Sequence, residues 1–480
     1  MLRLYNTLSK RKQAFRPLKG KIVTMYNCGL TVYDYGHIGN FRSFLFADLL
    51  RRWLEYKGYV VKQVMNFTDV GHMTVDEIPA QAGQDKVEMA AKRQGKSPEQ
   101  IAQFYIDAFL QDSKALNMLE PMKRPRATEH VADMIEIIKR LIARGYAYVT
   151  PSGCVYFEVS KFKQYGKLSG NPIEKLMAGA RIAPNPEKRH PYDFALWIVD
   201  PKHIMQWDSP WGRGYPGWHI ECSAMAMKYL GETIDIHTGG EDNIFPHHEC
   251  EIAQSEGATG KRFARFWLHV RHLLVNGKKM SKSLGNFIVL RDLIKDGHDP
   301  RAIRLLLLSA HYRDRLNFTT QALRQAEATI GRLDRLFSEL RRADGIGDKK
   351  LLSAARRAWN KFCAAMDDDI NTPMALSAIL SLIPEINKSL QKNYISKKDA
   401  KFLMKMFTNF SKIFGIEFLA KEWHGIEDAE PWLRAMLEER EKARKERRWD
   451  VADRIRAELK KRGIIVEDSE EGPRWQRQSS

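Results

Sequence analysis

The sequence predicts an α/β protein in which a parallel sheet, interrupted by an insertion, precedes an all-helical domain and a small C-terminal module. Three observations lead to this class. An apolar strand, an amphipathic helix and a second strand follow one another between Ile22 and Phe67. Proline and glycine become frequent from Pro151 to Pro216, which is typical of an inserted segment. From Thr319 onward the periodicity is helical almost throughout, which indicates a separate domain.

The region from Ile22 to Phe67 predicts a strand, a helix and a strand. Ile22 to Met25 and Val60 to Phe67 have the apolar character of buried parallel strands. Between them apolar residues recur at three- and four-residue steps, and Gly58 lies where a helix C-terminal cap is expected. The periodic positions are Phe41, Phe44, Leu45, Leu49, Trp53 and Leu54. A right-handed crossover would bring both strand ends and the helix N-terminus to one edge, where ligands bind.

Strand-like sequence returns at Thr233 to His237, followed by a Gly-Gly turn and a helical pattern from about Pro246 to Glu256. The parallel sheet is therefore expected to resume after the insertion. The predicted boundaries are 1–120 and 216–316 for the two halves of the sheet domain, 121–215 for the insertion, 317–425 for the helical domain and 426–480 for the C-terminal module.

The composition narrows the class of protein. The 480 residues include 78 Lys and Arg against 59 Asp and Glu, and the net charge of +19 favours a polyanionic partner such as nucleic acid or an anionic membrane surface. A basic protein without such a partner remains an alternative. The five cysteines are dispersed without a CxxC pair, which indicates a reducing compartment. No segment has the apolar length of a membrane span, so we expect a cytoplasmic protein with no membrane partner.

Two short motifs carry a functional signal. His37-Ile38-Gly39-Asn40 opens the first helix, and Lys279-Met280-Ser281-Lys282-Ser283 forms a loop far downstream. Alone, each motif is compatible with an ordinary connection or a solvated loop. Together, in this order and on a βαβ unit, they resemble the HIGH and KMSKS signatures of class I aminoacyl-tRNA synthetases. The resemblance implies a Rossmann-type catalytic domain that uses ATP with Mg²⁺ to form an aminoacyl adenylate.

Adenylate formation places negative charge on the α-phosphorus and on the leaving pyrophosphate, so preorganised positive groups are required. The helix N-terminus near Asn40 and the His37 side chain would contact phosphate, and Gly39 would let the nucleotide approach closely. Lys279 and Lys282 would hold the pyrophosphate from the opposite side. The fourth position of the signature is usually histidine. Asn40 can donate a hydrogen bond but carries no charge, so its part in the transition state stays open.

A second set of residues has the composition of a metal-binding site. His247 and Glu251 are four apart, so a helix would place both on one face. Cys28 and Cys222 are remote in sequence, and the residues alone leave a metal site, buried structural cysteines and an exposed ion pair as alternatives. These segments resemble those of the cysteine-specific synthetases. The resemblance implies that all four residues hold one zinc ion, which would bind the substrate thiolate and reject serine without editing.

The same match implies substrate contacts around the strand ends, although a structural role remains the alternative for each. These residues are Gly29, Thr31, Thr68, Trp218, His237 and Asp242. His248, Glu249 and Cys250 are not expected to bind the metal. Beyond Asp69, the run Val70-Gly71-His72-Met73 departs from the Ile-Asp-Asp-Lys run of many relatives, so no role is carried over to it.

The C-terminal segment is strongly basic. Arg440 to Arg462 contains 11 basic and 5 acidic residues, a net charge of +6. This segment and the following cap resemble the anticodon-reading module of the family, although a solvated charged helix is the alternative. The candidate contacts to tRNA(Cys) are Arg444, Trp449, Asp453, Asp468 and Trp475.

The expected activity is therefore the joining of L-cysteine to tRNA(Cys) with ATP by a monomer. A ligase that delivers the cysteinyl adenylate to a small amine would share both sets of residues, but such ligases resemble a synthetase shortened at the C-terminus. A catalytically dead tRNA-binding relative is the other alternative, and the presence of His37, Lys279 and Lys282 disfavours it.

Overall fold

The computed structural model describes residues 1–75, 82–171, 185–281, 284–419, 424–469 and 472–477. Within them the strands are β1 (Arg3–Asn6), β2 (Arg11–Ala14), β3 (Ile22–Thr31), β4 (Val60–Thr68), β5 (Met73–Val75), β6 (Ala82–Asp85), β7 (Ala147–Val149), β8 (Val155–Phe157), β9 (Phe194–Ile198), β10 (Tyr215–Pro216), β11 (Ile234–Gly240), β12 (Ala264–Val270), β13 (Leu273–Val275), β14 (Lys278–Lys279), β15 (Leu316–Phe318), β16 (Ile464–Ser469) and β17 (Gly472–Arg477). The α-helices are α1 (Ile38–Tyr56), α2 (Lys86–Gln94), α3 (Pro98–Ala115), α4 (Val131–Ala143), α5 (Trp218–Leu230), α6 (His247–Thr259), α7 (Leu290–Lys295), α8 (Pro300–Leu308), α9 (Thr320–Arg342), α10 (Lys349–Asp367), α11 (Thr372–Leu380), α12 (Ile383–Gln391), α13 (Lys397–Phe414), α14 (Pro431–Lys445) and α15 (Trp449–Lys461).

A four-stranded parallel sheet in the order β12-β11-β3-β4 carries the site. The helix α1 connects β3 to β4, which confirms the predicted βαβ unit, and β11 and β12 confirm that the sheet resumes after the insertion. Gly58 lies just beyond α1 with a φ of +86°, a conformation that glycine adopts without steric cost. The carboxyl ends of the strands and the N-terminus of α1 therefore lie at one edge.

A bulge interrupts the pairing of β3 with β4 between Asn27 and Leu30. It contains Cys28 and Gly29, and the Gly29 N–H donates to Asn66 Oδ1 at 2.9 Å. A Cβ added to Gly29 would lie 1.7 Å from the backbone oxygen of Asn66, a distance that no side chain could adopt. Glycine is therefore required here for strand packing.

Several smaller sheets were not predicted from the sequence, and two of them have three or four strands. The insertion contains an antiparallel sheet in the order β10-β9-β8-β7, and the segment that follows β12 forms a three-stranded sheet in the order β14-β13-β15. Most of these strands have two or three residues, too few for the alternation of apolar and polar side chains to be recognisable. The second sheet fixes Lys278 and Lys279 at the start of the lysine-rich loop.

Contacts divide the chain into two compact units. The first comprises residues 1–329, 350–384 and 408–417, and the second comprises 330–349, 385–407 and 418–480. The helical periodicity predicted from Thr319 is confirmed by α9 to α15, and the predicted strand near Gly463 is β16. The domain boundaries proposed above remain a prediction. Among the described residues, no helix combines the length and apolar character needed to cross a bilayer.

A buried ion network ties α1 to α8. The guanidinium of Arg304 forms an ion pair with Asp48, and both side chains are almost fully buried. Arg52 also pairs with Asp48 at 2.8 Å. Burial would raise the pKa of Asp48, but the charges of Arg304 and Arg52 hold it below its ordinary value. Because folding lowers this pKa, the resulting stabilisation is complete above about 3.9, the pKa of an unfolded aspartate, and is lost as the pH falls through the folded value.

We expect Arg304→Met to lower the free energy of unfolding of this unit by about 3 to 5 kcal/mol, because it leaves a buried carboxylate without its main partner. Urea unfolding at neutral pH would measure the change. The control is Lys139→Met, which removes an exposed pair with Glu136 and should cost less than about 1 kcal/mol. Equal losses in the two variants would contradict the role assigned to Arg304.

Candidate active site and metal centre

Four side chains predicted to bind metal converge at the carboxyl edge of the sheet. Cys28 comes from β3, Cys222 from α5, and His247 and Glu251 from one face of α6. Cys28 Sγ lies 3.9 Å from Cys222 Sγ and 3.6 Å from Glu251 Oε1. His247 Nε2 lies 3.1 Å from Glu251 Oε1, and the four donor atoms all lie within 4.8 Å of one another. The structure therefore brings Cys28 and Cys222, which are remote in the sequence, together with His247 and Glu251.

A second group shares Cys28 and Glu251 with the first and adds His237 and His248. His248 Nε2 lies 3.2 Å from Cys28 Sγ, and His237 Nε2 lies 2.8 Å from Glu251 Oε2. The first group contains two thiols, so it is the softer donor set and suits zinc better. His248 contacts His269 through its other nitrogen at 2.8 Å, which makes it a buried neighbour of the cluster.

The four residues of the first group shift one another's pKa values. Burial would raise the pKa of Cys222, but the hydrogen bond with Cys28 and the adjacent His247 lower it to about 6. Burial would also raise the pKa of Glu251, but His237 and His247 bring it to about 2. Burial and the neighbouring Cys222 raise the pKa of Cys28 well above its usual value. Burial would lower the pKa of His247, but its hydrogen bonds with Cys222 and Glu251 raise it to about 10. The thiolate and the carboxylate therefore face an imidazolium when no metal is bound, and a metal ion would take the place of that proton.

A cavity of about 280 Å³ opens at the N-terminus of α1. Its walls include six residues predicted to serve the nucleotide or the substrate: Gly29, His37, Gly39, Asn40, Asp242 and Lys279. Asp242 pairs with His272 Nε2 at 3.0 Å. A Cβ added to Gly39 would lie 2.9 Å from the His37 ring, so glycine keeps this part of the wall open. The cavity joins a helix N-terminus to a lysine, as phosphate binding requires.

His37 and Asn40 cap α1 reciprocally. The backbone N–H of Asn40 donates to His37 Nδ1, and that of His37 donates to Asn40 Oδ1, each at 3.1 Å. His37 Nδ1 is therefore an acceptor, so the proton of the neutral ring resides on Nε2. The side-chain group that Asn40 can offer a ligand is its Nδ2 donor. The substitution for the usual histidine thus preserves a hydrogen-bond donor beside the cavity.

The lysine-rich loop is closed by Asn286. Its Oδ1 accepts from the Ser281 N–H at 2.9 Å, and its Nδ2 donates to the Lys279 oxygen at 3.1 Å. Lys279 is exposed at the end of β14 and borders the nucleotide cavity. Lys282, predicted to hold the pyrophosphate, lies outside the described residues, and its role remains a prediction.

A second cavity of about 280 Å³ adjoins the first, and Cys28, Gly29, His37 and Asn40 border both. Its wall includes most of the predicted substrate contacts together with members of the cysteine, histidine and glutamate cluster. These residues are Gly29, Thr31, Thr68, Trp218, Cys28, Cys222 and His247. A substrate held by the cluster would therefore have direct access to the nucleotide cavity.

The structure adds detail to two of these predictions and shows one further residue at the cavity wall. Thr68 Oγ1 donates to Glu221 Oε2 at 2.9 Å, so its hydroxyl hydrogen is used within the protein. His237 is fully buried against Glu251 and does not border either cavity, so the structure places it behind the cluster rather than on the wall. His72, to which the sequence assigned no role, borders the second cavity. No spacing or motif in the sequence pointed to it.

The C-terminal module has its own apolar core, which includes Leu433, Leu459 and Trp475. Trp475 is 7% exposed and donates to the Gly425 oxygen at 2.9 Å, so packing accounts for this residue and leaves little of its ring for a base. Trp449 is 54% exposed and remains available for stacking.

The acidic candidates of the module differ in their surroundings. Asp468 receives two hydrogen bonds from the buried Arg440, at 2.6 and 2.9 Å, and a further ion pair from Arg444 at 3.1 Å. The hydrogen bond with Arg440 lowers the pKa of Asp468. The carboxylate of Asp468 therefore links α14 to the paired strands β16 and β17. The other acidic candidate, Asp453, lies exposed on α15. Contacts of all five candidates with tRNA remain predictions.

Comparison with known families divides the chain into three matched parts. Residues 14–328 match the family described as tRNA synthetases class I (C) catalytic domain. Residues 361–419 match the DALR domain, and residues 428–475 match the Cysteinyl-tRNA ligase anticodon binding domain.

Full-length relatives agree with these matches. The Cysteine–tRNA ligase of Caldicellulosiruptor saccharolyticus is 45% identical over 99% of this chain and 100% of the relative. That of Thermococcus onnurineus is 42% identical over 99% of both chains. That of Thermus thermophilus is 44% identical over 98% of both chains.

Among solved structures, Mycobacterium tuberculosis methionyl-tRNA synthetase in complex with methionyl-adenylate aligns over 82% of this chain and 90% of its own, with a TM-score of 0.59 and 17% identity. This likeness supports the class I fold, and the matches in sequence extend to a cysteine-specific anticodon domain. The chain therefore belongs to the cysteine–tRNA ligase family of class I aminoacyl-tRNA synthetases.

Proposed function

We propose that this enzyme activates L-cysteine with ATP and Mg²⁺ to form cysteinyl adenylate and then transfers the cysteinyl group to tRNA(Cys). The observation that carries the proposal is the buried cluster of two thiols, an imidazole and a carboxylate on the wall of a cavity that continues into the one at the N-terminus of α1. Thiol recognition and nucleotide binding are thereby adjacent.

The donor set fits zinc. Two cysteines, one histidine and one glutamate lie within reach of one ion and are buried. His247 Nδ1 lies 2.9 Å from His219 Nδ1, a contact that orients Nε2 toward the cluster. Zinc, when bound, would provide a soft Lewis acid for the thiolate of the substrate, a ligand that serine lacks.

The chain's own groups would perform the activation step. The N–H groups at the start of α1 and the side chains of His37 and Asn40 would bind phosphate oxygens, while Lys279 and Lys282 would neutralise the departing pyrophosphate. The amino-acid cavity opens directly into this space. The cysteine carboxylate can therefore reach the α-phosphorus while the thiolate stays bound at the cluster.

The match of residues 428–475 to an anticodon-binding domain favours tRNA over a small amine as the acceptor. Trp449 is exposed beside Arg444, whose guanidinium lies 5.7 Å from its ring, an arrangement suited to stacking with an RNA base.

We further propose that the enzyme acts as a monomer in the cytoplasm. All five cysteines are free, which suits a reducing compartment.

We expect the purified protein to contain one zinc ion per chain and Cys222→Ser to lose most of it, because a thiolate ligand is removed. Metal analysis measures the content, and pyrophosphate exchange with cysteine or serine measures discrimination, which should fall with the metal. The matched control is Cys250→Ser. Cys250 is equally buried but contacts Tyr165 at 3.4 Å and belongs to neither group, so its zinc should be retained. Full zinc content in Cys222→Ser would refute the assignment.

We expect Lys282→Ala to slow adenylate formation on the order of 100-fold with little change in cysteine affinity, because the lysine acts on charge that develops in the transition state. A single-turnover assay measures the rate. Lys278→Ala is the control, since Lys278 lies in β14 and does not border the cavity. Equal rates in the Lys282 variant and the parent enzyme would contradict the role.

We expect a chain that ends at residue 425 to retain cysteine-dependent pyrophosphate exchange while aminoacylation of tRNA collapses, because the module holds the basic segment and the exposed Trp449. The residual charging should depend less steeply on salt. Within the full chain, Trp449→Ala should weaken charging, whereas Trp359→Ala, at a partly exposed tryptophan of α10 outside the module, should not. Normal charging by the shortened chain would favour the small-amine ligase.

A further inference from the structure

His72 belongs to the run that departs from the family pattern, and it forms part of the amino-acid cavity wall. Its ring is 8% exposed and stacks on Trp218 with a centroid distance of 4.0 Å and an interplanar angle of 9°. Trp218 stacks in turn on His247 at 4.3 Å. Three stacked rings therefore extend from His72 to the metal cluster.

Both nitrogens of the His72 ring are engaged. Lys86 Nζ lies 2.9 Å from Nε2, and because an ammonium group only donates, Nε2 must accept. The proton of the neutral ring is then on Nδ1, which donates to Thr31 Oγ1 at 2.7 Å. Thr31 thus receives a hydrogen bond on its oxygen, and its own hydroxyl hydrogen can be donated to an acceptor in the cavity that Thr31 borders.

The local backbone fixes this geometry. The Lys86 N–H donates to the His72 oxygen at 2.9 Å, and the Gly71 N–H donates to Asp85 Oδ2 at 2.6 Å. Gly71 has a φ of +78°, and a Cβ there would lie 2.6 Å from the Pro216 oxygen. Asp85 also caps α2 through the Val87 N–H at 2.8 Å. Hydrogen bonds at Gly71 and at His72 itself therefore hold the backbone of this turn in place.

We propose that Lys86, His72 and Thr31 form a relay that positions the Thr31 hydroxyl to donate to the carboxylate of L-cysteine. The inference rests on the proposed function and assigns one group of that substrate. A cysteine whose thiolate is bound to the metal has a protonated amine, which only donates, so its carboxylate is the remaining acceptor. The ammonium of Lys86 polarises the relay in the sense that suits an anion. His72 is a positioning residue, since it acts through Thr31.

Two thiol ligands that each lack one group of cysteine test the relay: 3-mercaptopropionate has the carboxylate without the amine, and cysteamine has the amine without the carboxylate. Binding of each to the zinc-loaded enzyme is measured by calorimetry. The variant His72→Phe keeps a ring to stack on Trp218 but removes both nitrogens. We expect it to weaken 3-mercaptopropionate on the order of tenfold while cysteamine binds as before.

Lys86→Met provides a second variant that leaves the ring in place, and it should weaken 3-mercaptopropionate in the same selective way. In pyrophosphate exchange both variants should raise the KM for cysteine more than that for ATP, with zinc content unchanged. The matched control is His130→Phe, since His130 is 3% exposed, bonds through both nitrogens to Arg126 and Tyr229, and borders neither cavity. It should bind all ligands normally.

Equal weakening of both thiols, or selective weakening of cysteamine, would overturn the relay, as would unchanged binding in both variants. The proposed function has a separate test, because absence of cysteine-dependent exchange in the unmodified enzyme would refute it whatever the variants do.

Discussion

A buried asparagine joins the three strands on which the site depends. Asn27 Oδ1 accepts a hydrogen bond from Gln63 of β4 at 2.6 Å, and its amide donates to Thr238 of β11. Because Asn27 is almost fully buried, these partners are needed to offset the loss of its contacts with water. The next residue is Cys28. The polar link between the strands therefore lies directly before the bulge in β3 that contains Cys28, one of the four residues of the cysteine, histidine and glutamate cluster.

The pairing of His37 with Asn40 shows how one position serves two needs. The N–H groups of the first turn of a helix have no partner within the helix. At the start of α1 the His37 side chain accepts from the Asn40 N–H, and the Asn40 side chain accepts from the His37 N–H. A reader of the sequence sees only a departure from the usual histidine at position 40. In the fold, the same asparagine stabilises the helix end and still borders both cavities.

The regular elements were largely predictable, because α1 and the parallel strands are long enough for their apolar periodicity to identify them. The cluster of Cys28, Cys222, His247 and Glu251 could not be predicted in this way. His247 and Glu251 share a helix face, but only the fold, or a family resemblance, can join them to Cys28 and Cys222. The burial of other residues depends on tertiary packing, since no sequence pattern distinguishes the buried Trp475 from the exposed Trp449. His72 was missed because its partners come from β3, α2 and α5, which are far apart in the chain.

The close approach of the Asn66 backbone to Gly29 affects how sequences of the family are compared and how the amino-acid cavity could be redesigned. Since the carbonyl of Asn66 occupies the space of a side chain, selection at position 29 acts on backbone contact, whichever amino acid the enzyme accepts. An invariant glycine there would carry no information about substrate choice. A library intended to admit larger thiols should therefore leave this position constant and vary residues whose side chains, rather than main chain, form the wall.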